Sequence, residues 1–198
     1  MWARIIAILF CVVFLINGCN SLISQFFGTH KLRDFTMNGV LEDGIGDSDY
    51  VHIEDAWQSG DYIVVPPRTA ADKAVLIYPL LTDEQLQAAE AGEIVEPRVI
   101  CWTTDFSLNC DEENTCAPRA EVEVTGIIRE LRRQKNKAHM LASNKYRLPE
   151  NVDYIEVGRA PLAWYWNLLI VLASLGFAFF IEQRANKQRQ LAGTEKNS

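Results

Sequence analysis

The chain has 198 residues, 48% of them hydrophobic, and carries 26 acidic against 19 basic side chains for a formal net charge of −7. Such a length allows one domain of ordinary size with a substantial core. The acidic balance excludes the concentrated cationic surface that nucleic-acid phosphates require, so no nucleic-acid partner is expected.

The first element is the apolar run IIAILFCVVFLI, residues 5–16, with Arg4 before it and Asn17 and Gly18 after it. It is short for a membrane span and falls within the length of a signal-peptide core. The stretch FLINGCNS, with a small residue before Cys19, resembles the lipobox of bacterial lipoproteins, although Asn17 departs from the small or apolar residue usual there. Residues 1–18 are therefore read as a transmembrane anchor or a signal segment, with Cys19 as the candidate lipidation site.

Residues 19–160 read as a β-rich domain. RDFTMNGVL, DYVHIED, GDYIVVPP, KAVLIYPL, EPRVICWT, AEVEVTGII and VDYIEVG are rich in Val, Ile and Tyr and are separated by Gly, Asp, Asn and Pro clusters, the pattern of short strands. Val122 and Val124 alternate with Glu121 and Glu123, as a half-buried strand requires. TDEQLQAAEAG predicts a helix, with Thr82 as N-cap, Gln85 three residues on, acids in the first turn and Gly92 at the end. A second short helix is expected over 134–144. DFTMNGVLEDG and EVEVTGIIREL look alike and raise a pseudo-repeat. The fold class is mainly β, a small barrel-like or sandwich domain with one or two short helices, flanked by N- and C-terminal transmembrane helices.

The second apolar segment, LAWYWNLLIVLASLGFAFFI over 162–181, is uncharged and has the length needed to cross a bilayer. Trp164, Tyr165 and Trp166 crowd one end, where amphipathic rings favour the headgroup level. The transmembrane helix is assigned to 161–182 and a basic tail to 183–198. Arg184, Lys187, Arg189 and Lys196 follow it and Arg4 precedes the first segment, whereas residues 18–160 hold 14 Lys and Arg against 24 Asp and Glu, a net charge of −10. The positive-inside bias then predicts both termini in the cytoplasm and the β domain outside it. Asn167, Ser174 and Ala178 share one face of this helix. They form the candidate interface with the first segment, with another membrane protein or with a second copy.

Outside the cytoplasm thiols meet oxidising conditions. Cys110 and Cys116 flank DEENT, and a turn-prone loop of that length can bring them together as a disulfide. Cys101 ends a predicted strand and is either a buried thiol or a partner of Cys110 or Cys19. No C-x-x-C and no nearby histidine accompany these cysteines, so no metal and no cofactor is assigned. Asp111, Glu112 and Glu113, with Asp43, Asp47 and Asp49, lack calcium-loop spacing and read as solvated loop residues. Arg129, Arg132, Arg133, Lys135 and Lys137 are a basic run, read as a solvated face or a contact for anionic headgroups or an acidic partner. His30, His52 and His139 form no catalytic motif, and no catalytic residue is assigned.

The strand VTGIIRE, then LPENVDYIEVGRAP and a second span, following a terminal anchor, resembles the organisation of two-span bacterial membrane proteins. It is similar, in topology only, to cytochrome oxidase assembly factors, and no functional residue follows from that similarity. The expectation is a bacterial inner-membrane protein whose extracytoplasmic β domain is no enzyme and acts through protein contacts, assembling or stabilising an envelope membrane complex. The alternative is a thiol or metal handler or an unrecognised enzyme.

Overall fold

The computed structural model describes residues 2–67, 69–106, 116–129 and 145–195. They fall into two units, a pair of helices drawn from the two ends of the chain and a β unit over Thr29–Pro161. The expected helix at 134–144 lies outside the described residues.

The helical unit contains α1 (Trp2–Phe27) and α4 (Trp164–Glu195). Both are long and apolar enough to cross a membrane, over Arg4–Phe27 and Trp164–Lys187. The first is about twice the length of the apolar run that marks it in the sequence, and the β unit starts after it, at Thr29. The reason is local. Nothing in NGCNSLISQFF stops a helix, and the backbone stays helical until the Gly28 N–H bonds the Ser24 carbonyl at 3.0 Å.

The β unit contains β1 (Arg33–Thr36), α2 (Met37–Asp43), β2 (Tyr50–Gln58), β3 (Ile63–Val65), β4 (Val75–Leu81), α3 (Asp83–Glu90), β5 (Val99–Thr103), β6 (Ala120–Ile128) and β7 (Asp153–Val157). Five strands close a barrel in the order β2-β4-β5-β7-β6 and back to β2. Each neighbouring pair is antiparallel except β5 with β7. This is Greek-key connectivity, the class of five-stranded barrel to which OB folds belong. β1 flanks β2, and β3 flanks β4.

Closure depends on one strand dividing its edge between two partners. β4 pairs with β3 at Val75, Leu76 and Ile77, and with β2 at Leu80 and Leu81. Tyr78 and Pro79 between them have no ladder partner on that side. A proline, which lacks an N–H, is tolerated in a barrel strand where the ladder is interrupted.

The interior holds Val51, Ile53 and Ala56 of β2, Leu80 of β4, Val99 of β5 and Ile155 of β7, all buried. Ile53 and Ala56 both reach the core although they are three residues apart, because a bulge shifts the β2–β6 register between them. Asp55 at that bulge has φ 54°, a left-handed conformation that β-branched residues adopt at real cost. Its side chain is exposed, so the backbone alone decides the effect of a substitution. Asp55→Val should lose about 1–2 kcal/mol of stability, while Asp55→Gly should match or exceed the parent, both read from urea midpoints.

α2 packs against β1 and β2, and its Met37 and Val40 belong to the same core. The sequence reading of RDFTMNGVL as a single strand is corrected here. The Thr36 side chain accepts a hydrogen bond from the Gly39 N–H at 3.2 Å and starts a helix after four strand residues. The resemblance between this stretch and EVEVTGIIREL therefore has no counterpart over the described residues, since EVEVTGII of the latter lies in the continuous strand β6. In α3 the expected N-cap is present: Thr82 and Gln85 form a reciprocal capping box with both bonds at 3.2 Å. Gly92 follows the helix at φ 85°.

Candidate functional site

The helix pair contains the residues that the sequence singles out for interaction. On α1, Arg4, Cys11, Gly18 and Gln25 recur every seven residues, the repeat that keeps one seam of a helix against a neighbour. Cys11 and Gly18 are buried, and Arg4 and Gln25 partly so. On α4, Asn167 is 3% exposed and Ser174 9%, with Ala178 partly buried. Leu172, on the opposite face, is 60% exposed.

The two helices run antiparallel and meet at defined points. A Cβ added to Gly18 would lie 2.8 Å from Val171 Cγ2 and 3.3 Å from the Asn167 carbonyl oxygen. The absence of a side chain therefore lets the backbones approach. Asn167 Nδ2 donates to Gln25 Oε1 at 3.4 Å, and Gln25 Nε2 also donates to the Leu162 carbonyl. At the far end Arg4 pairs with Glu182. Ser174 Oγ returns its hydrogen to the Ile170 carbonyl at 2.7 Å, which satisfies the hydroxyl within its own helix. Large apolar side chains dominate the outer surface of both span-length segments, Phe10, Phe14, Leu169 and Phe179 among them, all more than half exposed. Together the seam offers polar matching at each end and close backbone contact between.

The cysteines separate into different environments. Cys110 lies outside the described residues, and so does the predicted Cys110–Cys116 pair. Cys116 sits against the barrel core. Cys11, Cys19 and Cys101 are free, Cys19 on an exposed face of α1. Cys101 faces Tyr78 across the β4–β5 ladder and is fully buried. Burial pushes its thiol well above the ordinary range, and the hydrogen bond with Tyr78 offsets this only in part. A thiol held neutral and away from solvent is a poor nucleophile. At pH 8 a maleimide should therefore leave Cys101 unmodified in the folded protein and label it fully in urea, as read by peptide mass.

The carboxylates are engaged one by one rather than clustered. Asp47 accepts from Arg33 at 2.9 Å, and Asp49 accepts from Thr29 and lies 3.5 Å from His30 Nε2. Asp61 accepts from Tyr146 Oη at 2.6 Å and pairs with Lys145 at 3.3 Å, while Tyr146 is also 2.8 Å from Ser59 Oγ. This second group ties the segment at 145–147 to the turn after β2, and Tyr146 carries the tie further by bridging to Val95. Burial holds the Asp153 carboxyl above the usual aspartate range, and Arg98 at 3.6 Å draws it down only partly. Among the described residues no group of three or more potential ligands could hold a metal ion. Comparison with protein-family models, curated proteins and solved structures finds no match.

Proposed function

We propose that this chain is an inner-membrane protein with two spans and both termini in the cytoplasm. Its barrel stands on the extracytoplasmic side and works through protein contacts, assembling or stabilising a membrane complex of the envelope. The observation that carries this reading is the antiparallel pairing of two span-length helices from opposite ends of the chain, with apolar side chains over their outer surface. Two spans that run in opposite directions return the chain to its starting side, and the basic residues outside both spans favour the cytoplasm for that side.

The same pairing supports retention of α1. Cleavage before Cys19 would remove Arg4, Cys11 and Gly18 and with them most of the seam. Intact mass of the purified protein should include residues 1–18, and a diacylglyceryl adduct on a chain that starts at Cys19 would overturn the reading. Accessibility labelling should place residue 60 outside and residue 190 inside; one shared compartment for both would refute the two-span arrangement. Co-purification from mildly solubilised membranes identifies the complex.

For the seam itself, Ser174→Leu with Ala178→Ile should weaken crosslinking between α1 and α4, because bulk at these positions separates the helices. Leu172→Ala should leave it unchanged. Equal crosslinking in both variants would reduce α4 to an anchor.

A further inference from the structure

Glu156 of β7 lies between Trp102 of β5 and Ile127 of β6 on the outer face of the barrel. Its side chain is only 7% exposed, and a carboxylate so placed is costly unless it is paired. Arg129 Nη1 donates to Oε2 at 3.0 Å and Arg159 Nε donates to Oε1 at 3.1 Å. One buried carboxylate thus fixes two guanidiniums, which are themselves 69% and 63% exposed. The Trp102 indole N–H donates to the Arg129 carbonyl at 3.3 Å and steadies the backbone at that arginine.

Two positive charges against one negative leave this point net positive, in a segment, residues 18–160, whose charges sum to −10. Neither ladder neighbour of Glu156 is charged. Each guanidinium has five N–H donors in a planar fork, and among the described residues its side-chain partner is Glu156, which leaves the other donors to solvent. Such a fork matches the paired oxygens of a phosphate. Arg159 precedes Trp164 by five residues, so the chain cannot set their Cα atoms more than about 18 Å apart. Rings of this kind settle at the headgroup level of a bilayer.

We infer that Arg129 and Arg159, positioned by Glu156, bind the phosphodiester group of an anionic phospholipid. The inference rests on the two-span reading, which puts Trp164 at the outer headgroup layer. The site gives the barrel a lipid ligand of its own, separate from the helix seam.

The test uses the full chain in mild detergent, titrated with phosphatidylglycerol, phosphatidylcholine or inorganic phosphate, with bound molecules counted by native mass spectrometry. Phosphatidylglycerol should be retained in preference to phosphatidylcholine. The triple variant R129Q/E156Q/R159Q removes all three charges together, leaves no buried ion unpaired, and should bind phosphatidylglycerol roughly 5-fold more weakly, as expected for the net loss of one membrane-proximal cation. Arg119→Gln, which breaks only the exposed pair with Glu90, should bind like the parent. Equal retention by the triple variant and the parent overturns the inference, as does equal retention of the two lipids. Displacement of lipid by millimolar inorganic phosphate assigns the site to a free anion and overturns the lipid source. If the triple variant misfolds, R129K/R159K decides the matter: it keeps the charge without the fork, and binding within twofold of the parent refutes the fork. Failure of the two-span reading is seen separately, in the compartments reported by residues 60 and 190.

Discussion

Replacing Gly126 with valine should destabilise the barrel by about 3 kcal/mol, near the upper end of the cost of overpacking a core. A Cβ at this position would lie 2.4 Å from the Glu156 carbonyl oxygen and 2.7 Å from Ile155 Cγ2. The first of these is backbone, which has no rotamer to escape into. β6 cannot slide away either, because Gly126 is paired with Val51 of β2 on one side and with Val157 of β7 on the other. The strand is held between two ladders where only a hydrogen fits. Urea denaturation of the full chain, followed by near-ultraviolet circular dichroism, measures the loss. Gly176→Ala supplies the contrast, since an added Cβ there meets nothing within 4 Å and alanine is the better helix former. A Gly126→Val midpoint equal to that of the parent would mean that β6 and β7 are less closely apposed than described.

The second large effect is expected from Arg129→Ala combined with Arg159→Ala, about 2–3 kcal/mol of stability. It falls at or below the low end for breaking a buried pair, because both arginines face water. The cost comes from what is left behind, a carboxylate buried between Trp102 and Ile127 without a cation. Adding Glu156→Gln to the double variant should restore most of the loss, and the same urea titration reads it. If the third substitution gave no recovery, the arginines would be stabilising the barrel by packing of their stems rather than by neutralising Glu156.

The strands were legible because Val, Ile and Tyr alternate with polar residues and turn-forming clusters divide them, and each of the seven runs contains a strand. The α3 capping box was legible because Thr82 and Gln85 are local. What escaped the sequence depends on distant partners. Barrel closure rests on Trp57 meeting Leu81 and Gln58 meeting Leu80, pairings without a sequence signal of their own. The bulge at Asp55 breaks alternation in the middle of β2, so its last core residue is out of phase with the first two. Glu156 reads as the solvent side of VDYIEVG, and the partner that explains its burial, Arg129, is 27 positions away. Only Arg159, three residues on, hinted at it. In α1 the run after residue 16 looks too polar for a span. Yet Gly18 and Gln25 lie at the seam, and the remaining polar side chains are few enough for the helix to stay apolar on average over Arg4–Phe27.

The helix pair has a thermodynamic consequence for the barrel. Gln25 of α1 bonds the carbonyl of Leu162, at the other end of the barrel segment, so both ends of residues 29–161 are held together whenever α1 and α4 remain paired. The unfolded barrel segment is then a closed loop rather than a free chain. It forfeits the entropy that a covalent crosslink would remove, about 5 kcal/mol for a loop of this size if the pairing were rigid. A fragment cut free of its helices loses that contribution, so its melting behaviour understates how firmly the barrel is folded in the full chain. The helix pair thereby acts on the folding equilibrium of the β unit through chain connectivity alone.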